Sequence, residues 1–131
     1  MTSKKVLIVD DDKHLVLALG ARLKANGYSV VSAEDGISAI AMTRKEKPDL
    51  VILDLGLPAG DGFSVLERMK QLAEAAPTIV LSARDPTGNK ARALAGGAVA
   101  FFQKPPNTHE LLSEIRRALG ETVALSAFLA R

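Results

Sequence analysis

The chain of 131 residues has no cysteine, no tryptophan and a single tyrosine. Without cysteine, neither disulfides nor thiolate metal sites are available. One tyrosine and four phenylalanines offer little surface on which to stack nucleic-acid bases, and the lysines and arginines are scattered. A net charge of +2 is too small to argue for direct nucleic-acid binding. No apolar run approaches a membrane span, and no secretory leader pattern precedes Lys4 and Lys5. Internal repeats and low-complexity tracts are also missing. These absences lead us to expect a cytoplasmic protein with no membrane partner. What is present, 47% hydrophobic and 24% charged residues, is ordinary for one globular domain with a real core.

The rest of the chain is organised around Asp49-Leu50-Val51-Ile52-Leu53-Asp54 and the loop after it, which carries Gly56, Pro58, Gly60 and Gly62. A short apolar run bounded by turn residues fits a strand buried on both faces of a parallel sheet. Val6-Leu7-Ile8-Val9 is a similar run that ends in Asp10-Asp11-Asp12. Thr78-Ile79-Val80-Leu81 ends in Ser82, and Val99-Ala100-Phe101-Phe102 leads to Lys104-Pro105-Pro106. Residues 28–33 alternate more and read as an edge strand.

Helical spacing fills the intervals. Leu15, Leu19 and Leu23 lie between a cap at Asp12 and a stop at Asn26-Gly27. Residues 36–47 bury Ala39, Ile40 and Thr43 and end at Pro48. Phe63, Leu66 and Met69 mark a third helix that ends near Ala75. Pro86 opens a fourth, closed by Gly96-Gly97. Asn107 caps a fifth, with Leu111, Leu112, Ile115, Ala118 and Leu119 as its buried stripe. Five strand–helix repeats predict a three-layer α/β domain with a parallel five-stranded sheet. Right-handed crossovers, with the most apolar strands central, favour the flavodoxin-like order 2-1-3-4-5.

In that topology the informative polar residues share the carboxyl edge of the sheet: Asp10, Asp11, Asp54, Ser82 and Lys104. Three converging carboxylates repel one another, and a hard divalent cation such as Mg²⁺ (or Mn²⁺) relieves this. A lysine and a hydroxyl at the same rim suit a phosphoryl group, and a carboxylate can serve as its nucleophile. Taken singly, each residue has a plainer reading. Asp12 is a helix cap, Ser82 a strand-end hydroxyl bonded to backbone, and Lys104 a solvated lysine. Phe101 and Phe102 are strand residues that pack on opposite faces. His14 and His109 lie near helix starts and face solvent, and neither is assigned a role.

The set resembles the receiver domain of bacterial two-component response regulators. The resemblance rests on Val-Asp-Asp at 9–11, Leu-Asp-Leu-Gly-Leu-Pro at 53–58 with Asp61-Gly62, Leu-Ser-Ala at 81–83 and Lys-Pro at 104–105. It implies a receiver domain over residues 1–120 and a C-terminal tail or truncated linker over 121–131. By the same resemblance Asp54 is the phosphoacceptor. Asp11 and Asp54 bind Mg²⁺ directly, Asp10 binds it mostly through water, and the Gly56 carbonyl is a further ligand. Ser82 and Lys104 hold phosphoryl oxygens, Ser82 and Phe101 form the switch, and the Lys104–Pro105 peptide is cis. The donor is a sensor histidine kinase or a histidine phosphotransfer protein. The surface of the fourth helix, fifth strand and fifth helix then acts on an unknown partner or output domain. Self-phosphorylation and autodephosphorylation are the only reactions expected.

Some positions depart from the family pattern. Gly56 leaves the acceptor bare and Arg84 stands two residues after the hydroxyl. In that family these two positions tune phosphoryl loss, and Arg84 is expected to slow it here. Pro106 replaces a common aromatic residue, and Val99-Ala100 replaces an acidic pair that contributes to one family dimer. The tail carries Val123, Leu125, Phe128 and Leu129, more apolar than a flexible linker. An alternative reading is an aspartyl-phosphate phosphatase or phosphotransferase acting on a separate substrate. Such enzymes need a second acid where this chain has Gly56. A flavodoxin-like cofactor binder is disfavoured by three aspartates where phosphate would have to sit.

Overall fold

The computed structural model describes residues 3–58, 61–72 and 76–121. Five strands alternate with five helices in chain order: β1 (Lys5–Val9), α1 (Lys13–Ala25), β2 (Ser29–Ala33), α2 (Gly36–Glu46), β3 (Leu50–Leu53), α3 (Gly62–Leu72), β4 (Thr78–Ser82), α4 (Pro86–Ala95), β5 (Ala100–Gln103) and α5 (Thr108–Ala118). All neighbouring strands are parallel, in the order β2-β1-β3-β4-β5. This is the flavodoxin-like arrangement expected from the strand–helix alternation.

Side chains on a strand alternate between the faces of its sheet, so each central strand feeds two cores. Leu7, Val9, Val51, Leu53 and Val80 meet Ala39, Phe63, Leu66, Met69 and Ala93 from α2, α3 and α4. Val6, Ile8, Leu50, Ile52, Ile79 and Leu81 meet Leu19, Leu23, Leu111, Leu112 and Ile115 from α1 and α5. Each buried aliphatic side chain contributes about 1.5–3 kcal/mol over its exposed state. A slip of one residue would exchange these faces, which is why the register is firm.

Helix ends follow their local chemistry. Asp12 accepts the His14 and Leu15 N–H groups at the start of α1, and Asn26 and Gly27 (φ 92°) end it. Asp35 caps α2, and Asn107 caps α5. α2 ends at Glu46, with Lys47 in the left-handed region (φ 47°) before Pro48. Ile40 is only half-buried there, while Ala39 and Thr43 are buried. β5 starts at Ala100, one residue later than expected; Val99 still donates its N–H to the Thr78 carbonyl but is 42% exposed. α4 departs most from expectation. Thr87 and Gly88 leave helical geometry, with Gly88 at φ 76°, so Pro86 opens an interrupted turn rather than a continuous helix. The expected end of α3 near Ala75 and the apolar tail residues Val123, Leu125, Phe128 and Leu129 lie outside the described residues.

Candidate functional site

The sheet's backbone ladder sets the corner. Asp54 donates its N–H to the Val9 carbonyl at 2.9 Å, and Lys104 donates its N–H to the Ser82 carbonyl at 2.7 Å. These two bonds place the ends of β1 and β3, and of β4 and β5, side by side. The loop after Asp54 then folds tightly against α3. A Cβ on Gly62 would collide with the backbone of Leu55, so only glycine allows this approach.

The side chains converge as their strand ends do. Carboxylate oxygens of Asp10, Asp11 and Asp54 all lie within 4.8 Å of one another. Lys104 Nζ donates to Asp10 Oδ2 at 2.7 Å and stands 3.6 Å from Asp54 Oδ2. Asp10 and Asp54 are buried, whereas Asp11 is exposed, so the cluster opens toward solvent on the Asp11 side. The backbone N–H of Asp12 donates to Asp10 Oδ1 at 2.9 Å, and that of Gly56 to Asp54 Oδ1 at 3.1 Å. Burial pushes the Asp10 carboxyl up, aided by the charge of Asp54 and opposed by Lys104 and the Asp12 N–H. Burial alone would pull the Lys104 ammonium down. The bond to Asp10 and the charges of Asp54 and Asp10 outweigh it, and its pKa is raised, so it stays cationic at neutral pH.

Three carboxylates facing one ammonium leave a net negative corner built of oxygen donors. That donor set fits a hard divalent cation of the Mg²⁺ class.

The remaining expected residues are also at this edge. Ser82 is fully buried, and its Oγ accepts the Arg84 N–H at 3.1 Å. Gly56 is exposed, and a Cβ there would stand 3.7 Å from both Asp54 carboxylate oxygens, so a side chain at this position would overhang the acid. Phe101 packs toward the α2–α3–α4 core and Phe102 toward the α1–α5 core. The Lys104–Pro105 peptide is cis. His14 and His109 are exposed. The Arg84 guanidinium lies 5.8 Å from the centre of the Phe63 ring. Sequence reasoning used Phe63 only to mark the third helix. It missed that Arg92 stacks on the same ring at 3.9 Å and reaches Asp61 at 3.7 Å. No local pattern signals that contact, because Phe63 and Arg92 lie far apart in the chain, with β4 between their helices.

The family model of the response regulator receiver domain matches residues 6–116. The chain belongs to the response regulator receiver domain family. As a receiver domain it is 36% identical over 118 residues to the response regulator MprA of Mycobacterium leprae, covering 90% of this chain and 52% of that protein. The chain thus spans about half the length of the curated relatives it matches. Among solved structures, a CheY-like receiver domain protein of Methanospirillum hungatei superposes with a TM-score of 0.86 at 29% identity. That match covers 91% of this chain and 95% of the other. A response regulator of Burkholderia pseudomallei, solved with a phosphorylated aspartic acid, calcium ion and citrate, superposes at 0.82 with 25% identity. It covers 98% of this chain and 76% of the other. Among the described residues of the receiver domain, no helix is long and apolar enough to cross a membrane.

Proposed function

We propose that this receiver domain is a phosphorylation-dependent switch in which Asp54 accepts a phosphoryl group from a histidine kinase or histidine phosphotransfer protein. The observation that carries this reading is the corner itself. A buried aspartate stands within 4.8 Å of two other carboxylates and 3.6 Å from an ammonium. The phosphorylated aspartic acid and calcium ion of the Burkholderia pseudomallei relative lend it support.

In this reading Asp10, Asp11, Asp54 and the Gly56 carbonyl would hold Mg²⁺, which when bound would supply neutralisation of phosphoryl charge. An Asp54 carboxylate oxygen is the nucleophile. Its new bond to phosphorus forms as the donor's nitrogen–phosphorus bond breaks, and the pair of electrons leaves with the donor imidazole. Lys104, now paired with Asp10, turns to a phosphoryl oxygen. Ser82 donates its hydroxyl to another, and Phe101 moves into the space this opens. The phosphoryl group favours one of two arrangements by making contacts in one that it lacks in the other. The altered surface of α4, β5 and α5 then acts on a partner or output domain. Residues 1–120 form the switch and 121–131 a tail or linker.

Incubation with acetyl phosphate and Mg²⁺ tests the reading by intact mass. One labile phosphate is expected on the parent and none on Asp54→Ala. Equal labelling of both would overturn it.

A further inference from the structure

Helix α4 is held to the domain by little apolar contact. Ala93 is its one buried residue, and its first turn is interrupted at Thr87 and Gly88. A polar cluster ties its last turn to the start of α3 instead. The Arg92 guanidinium lies 3.9 Å from the Phe63 ring centre, with Nη2 3.7 Å from Asp61 Oδ2. Asp61 also accepts the Phe63 N–H at 3.2 Å, which fixes the acid and the ring together. Both residues flank Gly62, which packs on the Leu55 backbone directly after Asp54. The anchor of α4 is therefore rooted in the phosphoacceptor's own loop.

We infer that Arg92, Phe63 and Asp61 form a clamp that fixes the position of α4 and thereby sets how readily Asp54 takes up a phosphoryl group. Arg92 is a positioning residue, and the inference rests on the receiver reading above. In the arrangement seen here Lys104 bonds Asp10 at 2.7 Å and stands farther from Asp54, at 3.6 Å, while the Arg84 guanidinium lies 5.8 Å from the centre of the same Phe63 ring. The Ser82 hydroxyl oxygen is engaged by the Arg84 N–H. Phosphoryl uptake requires the loop bearing Ser82 and Arg84 to re-form around the new group. That loop runs straight into α4, so whatever holds α4 also restrains the loop. A stacked guanidinium and a partly exposed ion pair are individually weak. With so little burial beneath α4, they are a large share of what holds it, and local opening follows the weakest attachment.

The test uses the full chain with Arg92→Ala, Arg92→Lys and Asp61→Asn. Amide hydrogen exchange is measured without a phosphodonor, and the rate of acyl-phosphate formation with acetyl phosphate and Mg²⁺. In Arg92→Ala the amides of residues 89–95 should exchange about three- to tenfold faster, with those of 111–118 unchanged, and phosphate uptake should quicken by a similar factor. Arg92→Lys keeps the charge for Asp61 but loses the planar stack, so it should restore part of both effects. Asp61→Asn keeps the cap acceptor and loses the ion pair, so its effect should be smaller. Unchanged α4 exchange in Arg92→Ala overturns the clamp, as does equal acceleration of α4 and α5, which marks general destabilisation. Faster α4 exchange with unchanged uptake overturns the link to Asp54. A parent that takes up no phosphate, with α4 exchange still faster in Arg92→Ala, defeats the phosphoacceptor reading and the link while the clamp itself stands.

Discussion

Helices α4 and α5 flank the same strand, β5, and are attached to the domain in opposite ways. α5 buries Leu111, Leu112 and Ile115, and Asn107 caps it by accepting the Glu110 N–H. α4 buries only Ala93, breaks at Gly88 and leans on α3 through exposed charge and an aromatic face. One side of β5 is thus anchored by a buried apolar stripe, and the other by a single buried alanine and polar contacts. The switch proposed above needs both a fixed and an adjustable side. The strand ends must hold Asp10, Asp54, Ser82 and Lys104 in place while a neighbouring element shifts in response.

The strongest way to break this comparison is to remove the acid at its centre. Asp54→Ala should abolish acyl-phosphate formation entirely, by intact mass, while the circular dichroism of the fold persists. Metal removal comes next. Chelation with EDTA should slow phosphate uptake from acetyl phosphate by at least about tenfold, since a cation stabilises charge that three carboxylates would otherwise repel. Uptake that is indifferent to EDTA would separate the acidic cluster from the chemistry.

Packing gives a sharper contrast. Ile115→Ala on α5 should lower unfolding free energy by about 2–5 kcal/mol in urea titration. Leu94→Ala on α4, at a side chain 41% exposed, should change it by no more than about 0.5 kcal/mol. Comparable losses at both sites would erase the distinction between scaffold and adjustable face.

If Arg84 holds the phosphoryl oxygens as proposed, Arg84→Ala should shorten the lifetime of the phosphorylated form by about two- to fivefold, through loss of a charge-assisted bond. A lifetime equal to the parent's would assign Arg84 wholly to the Phe63 ring.

The smallest effect is a matter of pH. The Ser38 backbone N–H holds the Asp35 carboxyl below its ordinary range. With a depressed folded pKa, its contribution is whole above the unfolded value near about 3.9 and fades as pH falls through the folded one. Asp35→Ala should therefore lower the urea midpoint at pH 6 and differ less from the parent at pH 3. A gap that widened in acid would reverse the assignment.

Much of this protein is legible in its amino-acid order. The runs at 6–9, 50–53 and 79–81 are fully apolar because strands covered on both faces have no polar side to show, and that pattern needs no partner to be read. Caps at Asp12 and Asn107 depend on bonds to the next few residues, so they too are written locally. The acids, hydroxyl and lysine at the strand ends could be placed together in advance, because a parallel sheet sends every strand end to the same edge. Tertiary structure alone decided the rest. It turned Lys104 toward Asp10 more closely than toward Asp54, broke α4 at Gly88, and set Arg92 and Arg84 on Phe63. The contacts of Lys104, Arg92 and Arg84 are made by long side chains with many rotamers of similar energy. Which one is occupied depends on the charges and faces that distant segments bring near, and no stretch of neighbouring residues contains that information.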